Sequence, residues 1–171
     1  MELLQLKEKI QQIFDTDIDN LGTALMKAVQ DEDVRQFAAF EHAVEGDLTK
    51  DWLQMVYQYY FADRKEKMQD YTPKCLAEFL AKLCGDADVI IDMCAGSGAL
   101  TIQKWNQNKD QKFRLYELDE TVFPYLLFNM AVRNIDAKIF RADVLQSEVY
   151  EQWEIRKGEK YGRVTCIKPA I

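Results

Sequence analysis

The chain has 171 residues, of which 48% are hydrophobic and 30% charged, with a formal net charge of −7. That composition supports a buried core in a single globular unit. It excludes a disordered polymer, since 7 Gly and 3 Pro form no linker-like run. The acidic balance argues against a stand-alone nucleic-acid binder, which must neutralise phosphates with Lys and Arg; action on DNA would need another chain to supply the grip. No apolar stretch approaches a bilayer span and the start Met1-Glu2 lacks a signal-peptide pattern, so the expectation is a cytoplasmic protein without membrane contact. Cys75, Cys84, Cys94 and Cys166 form no C-x-x-C pair and His42 is the only histidine. No metal is therefore expected, and the cysteines read as reduced, largely buried thiols.

Residues 1–66 read as a helical N-terminal segment. Leu3, Leu4, Leu6, Ile10, Ile13 and Phe14 approximate one helix face, Leu21, Leu25, Met26 and Val29 a second, and Gly22 and Gly46 punctuate. Trp52, Leu53, Met55, Val56, Tyr59 and Tyr60 repeat at helical spacing, and a buried helix is favoured there over an aromatic platform for bases. Residues 67–171 change character. Thr72-Pro73 predicts a helix start with threonine as cap; Cys75, Leu76, Phe79, Leu80 and Leu83 make an apolar face, and Gly85 ends it. Strand 88–93, helix 98–108, strand 112–117, helix 120–134, strand 137–142, a short helix 145–154 and strand 163–168 then follow. Alternation of this kind predicts right-handed crossovers and a parallel sheet covered on both faces, a doubly wound α/β domain.

The chemistry concentrates where strands end. Asp92-Met93-Cys94-Ala95-Gly96-Ser97-Gly98 follows the apolar run Val89-Ile90-Ile91 and opens a helix, the layout of a nucleotide-type cradle. Gly96 and Gly98 permit backbone conformations that a Cβ forbids and leave room for a ligand at the helix N-terminus. A dinucleotide is disfavoured. Thr101 stands where the dinucleotide fingerprint has its third Gly or Ala, and Asp92 would repel a pyrophosphate while attracting the ammonium and sulfonium of S-adenosylmethionine. Glu117 closes the second strand, roughly 20 residues on, where an acid accepts both ribose hydroxyls. Asp143 closes the third and would take the adenine amino group, with Val144 or Leu118 packing on the ring.

These residues resemble the N-terminal part of the catalytic domain of adenine-N6 DNA methyltransferases, especially the modification subunit of type I restriction-modification systems. Gln69-Asp70-Tyr71-Thr72-Pro73 is similar to a Gly-Gln-(Phe/Tyr)-(Phe/Tyr)-Thr-Pro segment, and the glycine turn to Asp-Pro-Ala-Cys-Gly-Ser-Gly. Tyr116-Glu117-Leu118-Asp119, Asn129-Met130-Ala131 and Asp143-Val144-Leu145 match the family's later blocks in order and spacing. The resemblance implies a partial Rossmann-like, S-adenosylmethionine-dependent methyltransferase fold behind a helical prefix. It implies Tyr71, Thr72 and Pro73 over the methionine end of the cofactor, Asp92, Cys94, Ala95, Gly96, Ser97 and Gly98 beneath it, Glu117 at the ribose, and Asp143 with Val144 or Leu118 at the adenine.

The family's Asn-Pro-Pro-(Tyr/Phe) motif, which holds a flipped base, has its counterpart at Lys168-Pro169-Ala170-Ile171. A lysine has only donors to offer an amine that must itself donate, and Ile171 has no aromatic face. Lys168 and Pro169 therefore mark a degenerate catalytic position, and intrinsic activity is left open. The chain is expected to be a shortened form or fragment whose fourth strand, with Val164, Cys166 and Ile167, is an open edge that a second copy or a partner protein covers. The alternative is a non-catalytic assembly module that retains the methyltransferase fold; a methyltransferase for RNA or a small molecule is also compatible with the residues.

Overall fold

The computed structural model describes residues 2–61 and 72–168. Four helices come first: α1 (Leu3–Phe14), α2 (Leu21–Gln30), α3 (Val34–Ala43) and α4 (Trp52–Tyr60). Each buries one stripe, such as Leu6, Ile10 and Phe14 on α1 or Trp52, Leu53, Val56 and Tyr57 on α4. The latter confirms the buried-helix reading, although Tyr59 stays exposed. Two starts are capped by acids: Asp33 accepts from the amides of Arg35 and Gln36, and Asp51 from that of Gln54.

The second part comprises α5 (Lys74–Leu83), β1 (Val89–Asp92), α6 (Ala99–Gln107), β2 (Lys112–Glu117), α7 (Phe123–Val132), β3 (Ala137–Asp143), β4 (Glu148–Arg156) and β5 (Arg163–Lys168). All ten residues of α7 are buried. A helix that is apolar all round belongs inside, and α7 lies between the helical prefix and the sheet. Phe128 receives the rings of Phe14, Phe37 and Phe40 edge-on, with centroids 5.4, 5.3 and 5.2 Å away. One contiguous core runs from Leu6 through α7 to Trp153 and Ile155. The expected junction at residues 66 and 67 lies outside the described residues.

The five strands lie in chain order, with β1–β2 and β2–β3 parallel and β3–β4 and β4–β5 antiparallel. The fold class is the expected one, a partial α/β methyltransferase-type sheet, but three details differ from the sequence reading. Residues 148–156 form a strand where the sequence predicts a helix over 145–154. Trp153 and Ile155 are buried and alternate with Gln152, Glu154 and Arg156, a period of two that outweighs the helical reading. Because β4 inserts as a hairpin, β5 pairs antiparallel with β4 and completes no third parallel crossover. And among the described residues only one face of the sheet is covered. Both crossovers, β1–α6–β2 and β2–α7–β3, step the same way across the sheet, so right-handedness puts both helices on one side.

Two further expectations change. Pro73, not Thr72, is the N-cap of α5, and no side-chain cap bond forms there. The four cysteines are exposed rather than buried.

Candidate functional site

The sheet register explains how distant acids share one rim. Asp92 pairs with Leu115, and Leu115 with Ile139. Side chains alternate between faces with period two, so Glu117, two residues past Leu115, and Asp143, four past Ile139, lie on the same face as Asp92. The three acids form a staircase: each strand runs two residues further than its neighbour, about 6.6 Å per step at strand rise. The covered side of the sheet thus ends in Asp92, Glu117 and Asp143.

The glycine turn is tied to this rim by its backbone. Ala95 donates its amide to the Tyr116 carbonyl at 2.9 Å, and Gly96 donates to Glu117 Oε2 at 2.7 Å. Glu117 Oε1 accepts the Asp119 amide at 2.8 Å. Each carboxylate oxygen thus accepts one amide, and a carboxylate has about four lone-pair positions; capacity for a diol remains. Asp92 accepts the Cys94 amide at 3.3 Å and, more weakly, the Thr101 hydroxyl at 3.5 Å. Burial pushes both Asp92 and Glu117 above the ordinary carboxylate range, and also raises Cys94. Among the described residues no cationic side chain pairs with either acid. The arrangement is a partly desolvated, negative notch at a helix N-terminus, suited to a ligand that brings both a cation and hydroxyl donors.

The two glycines have different jobs. Gly96, at φ +57°, would point a Cβ into open space, whereas at Gly98, at φ +97°, the Cβ would stand 2.6 Å from Met130 Cε and 3.1 Å from Leu126 Cδ1. Gly96 therefore leaves room beside the notch, and Gly98 lets α6 approach α7. Ser97 is buried and its hydroxyl donates to Asp51 Oδ2 at 2.6 Å, so its side chain supports the turn from beneath. Asp143 acts locally. Its Oδ1 accepts the amides of Leu145 and Gln146, both at 3.0 Å, and so shapes the turn into β4. Leu118 is exposed and Val144 half-buried at the same rim. Thr72 and Pro73 precede α5, while Tyr71 lies outside the described residues, as does Pro169.

Lys168 sits on β5, its ammonium donating to the Val149 carbonyl. With strands about 4.8 Å apart, β5 is roughly 19 Å from β1. The structure does not bring Lys168 to the glycine turn. Position along the chain suggests otherwise, because the inserted hairpin is not legible as strands.

Sequence reasoning also misses what holds the turn. Asn129 Nδ2 donates to Asp51 Oδ1 at 2.9 Å and to the Ser97 carbonyl at 2.8 Å; Arg133 then donates to Asn129 Oδ1 at 2.7 Å and to the carbonyls of Leu48 and Lys50. Burial raises Asp51 and lowers Arg133 to about 10. The one available signal is an Asp directly before an apolar helical run, which says N-cap and nothing of its far partners.

A family model described as N-6 DNA methylase matches residues 48–161. That span takes in the Asp51 loop, α4, the glycine turn, the Glu117 and Asp143 strand ends and the β4 strand. No curated protein and no solved structure matches the chain.

Proposed function

The chain belongs to the N-6 DNA methylase family, and from that premise we propose that it is an S-adenosylmethionine-binding, adenine-N6 methyltransferase-like protein of the cytoplasm, related to the modification subunits of type I restriction systems. One observation carries the reading: two desolvated carboxylates, Asp92 and Glu117, with no cationic partner among the described residues, flank a glycine turn on the same side of the sheet. Bound S-adenosylmethionine would supply an electrophilic methyl group on a sulfonium. Asp92 would face the positively charged methionine end, with Cys94, Ala95 and Gly96 beneath it and Thr72 and Pro73 above. Glu117 would accept the ribose hydroxyls while its bonds to Gly96 and Asp119 fix its orientation. Asp143, Val144 and Leu118 would border the adenine. Lys168, a donor only, offers no acceptor to a substrate amine, so transfer to DNA would depend on another chain.

Isothermal titration tests this. Binding of S-adenosylmethionine and S-adenosylhomocysteine is expected at micromolar concentration, and Glu117→Ala should weaken it tenfold or more, about 1.4 kcal/mol. No heat at millimolar ligand would remove the reading.

A second reading, an assembly module, is favoured by the β1 edge. Val89-Ile90-Ile91 is apolar on both faces, as a central parallel strand requires, yet among the described residues β1 pairs only with β2, and Ile91 and Met93 are 51% and 53% exposed. Beside it, an apolar groove of about 330 Å³ runs between α5 and α6 past Leu80, Leu83 and Thr101. The fitting partner would be an apolar strand of another chain, added to β1. The edge expected from the sequence, β5, is the other edge of the sheet; we propose β1 as a second partner edge.

A further inference from the structure

The acidic net charge conceals a basic surface. Period-two alternation places Lys112, Arg114 and Tyr116 of β2 on the uncovered face of the sheet, opposite the buried Phe113 and Leu115. Register carries this face across the strands: Arg114 lies beside Lys138, and Lys138 beside Glu154; Tyr116 lies beside Phe140; Arg156 lies beside Arg163. Lys112, Arg114, Lys138, Arg156 and Arg163 are all exposed. Among the described residues the acids of this face are Asp136, just ahead of β3, and Glu154, which is held by Arg156 at 2.9 Å. None of Lys112, Arg114, Lys138 and Arg163 makes an ion pair with a described residue. The chain's net charge of −7 is therefore carried elsewhere, and this face is locally cationic.

An aromatic pair stands within it. The half-buried Tyr116 and Phe140 rings stack at 4.9 Å and 14°, so each keeps one face that the other does not use. The cationic row of Arg114 and Lys138 lies two residues along the same strands, about 6.6 Å away. Bases have π-faces that stack on aromatic rings whatever their identity, and phosphates need cations alongside. A duplex hides its base faces; a single strand does not. The charge complementarity and the aromatic row together select among polyanions.

We propose that the uncovered face of the sheet binds single-stranded nucleic acid, with bases against Tyr116 and Phe140 and phosphates along Arg114, Lys138 and Lys112. This surface is separate from the Asp92 and Glu117 notch, which opens on the covered side at the strand ends. A chain disfavoured as a DNA binder by its total charge thus has one face suited to binding it, because charge is segregated by strand parity.

The test is fluorescence anisotropy with fluorescein-labelled dT20 and with a duplex of equal length at low salt. The expected result is micromolar binding of dT20, at least tenfold tighter than the duplex. The triple variant Lys112→Ser, Arg114→Ser, Lys138→Ser should lose tenfold or more and flatten the salt dependence by roughly 2 units of slope, at about 0.7 per phosphate contact. It should leave S-adenosylmethionine affinity unchanged, which separates this proposal from the cofactor reading. Because Tyr116→Leu or Phe140→Leu could unfold the sheet, amide chemical-shift mapping with unlabelled dT10 supplies a second readout on the wild-type chain. Shifts centred on Arg114, Tyr116, Lys138 and Phe140 support the proposal. Equal affinity for duplex and single strand, shifts confined to the notch, or no binding at millimolar oligonucleotide would overturn it.

Discussion

Ser97 donates a 2.6 Å hydrogen bond to Asp51, a residue 46 positions upstream in the helical prefix. The bond joins the loop ahead of α4 to the underside of the glycine turn, and Asn129 closes the triangle by donating to Asp51 and to the Ser97 carbonyl. Every buried side-chain polar atom among the described residues has a partner, so this network is satisfied throughout. Satisfied networks of this kind fix a unique arrangement, and partly satisfied ones are costly. The prefix therefore helps to set the shape of the proposed cofactor loop, and its loss would reach the notch through Ser97.

Asp51→Ala should destabilise the chain by about 3 kcal/mol, because it strands Asn129, Ser97 and the nearby Arg133 in a dry interior. Asp51→Asn should cost much less, near 1 kcal/mol, since an amide can accept from Gln54 and Asn129 while donating to a rotated Ser97 hydroxyl. Urea unfolding of both variants, with Ser97→Ala in a double-mutant cycle, measures this. A coupling energy below about 0.5 kcal/mol would show the two residues to be independent.

Stability should depend on pH in a sense opposite to that of an ordinary acidic surface. Burial raises Asp51, Asp92 and Glu117 above the usual carboxylate range. Between the unfolded and folded values the native state binds more protons, so unfolding free energy falls as pH rises through that window. Asp33, Glu41 and Asp47 are lowered, by bonds to Arg35, Lys160 and, against the opposing effect of burial, Lys50; their contribution is lost as pH drops below the usual range. The maximum is thus expected at mildly acidic pH. Asp92→Asn keeps both of its hydrogen bonds, accepting from Cys94 and donating to Thr101. It should raise the melting temperature at pH 8 and flatten the profile, while weakening S-adenosylmethionine more than S-adenosylhomocysteine, which lacks the sulfonium charge. A variant whose melting curve at pH 8 matches or falls below wild type would contradict the desolvation of Asp92.

The glycine turn, Asp92 and Glu117 are legible in the sequence because local rules produce them: an apolar run, a Gly-x-Gly bend and a second strand about 20 residues on. The helices α1, α2, α4 and α7 are legible for the same reason, through their apolar residues. Asp51 is not, because its partners are set by tertiary packing across 46 and 78 residues. The β4 strand is obscured by Glu148, Glu151 and Gln152, which mimic a polar helix, while the Asx turn at Asp143 bends the chain straight back. The apolar stripe of α5 is legible as a stripe; its pattern gives no hint that Leu83 is 70% exposed and Phe79 59%.

That exposed stripe and the β1 edge make a prediction about assembly. Multi-angle light scattering of the wild-type chain at high concentration should show self-association or, with its partner present, a defined complex. Ile91→Lys with Met93→Lys should abolish either, because a charge on each exposed position opposes burial of an added apolar strand. Both side chains are exposed, so the melting temperature should change little. A monodisperse monomer at all concentrations, unaltered by the double substitution and by candidate partners, would speak against the assembly reading.

Gly96 and Gly98 should separate binding from stability. Gly96→Ala meets no atom within 4 Å but keeps a left-handed φ of +57°, a strain of about 1–2 kcal/mol. Its new methyl stands in the space beside Glu117, so ligand affinity should fall tenfold or more while the fold survives. Gly98→Ala must adopt φ +97° and push Met130 aside, with Leu126 also at 3.1 Å. It should cost the fold more, about 2–3 kcal/mol, and Met130→Ala in the same chain should recover the packing share of that loss but not the backbone strain. Thermal melts beside titration calorimetry for the three variants decide the matter. If Gly96→Ala binds S-adenosylmethionine as wild type does, the cofactor does not lie against this turn.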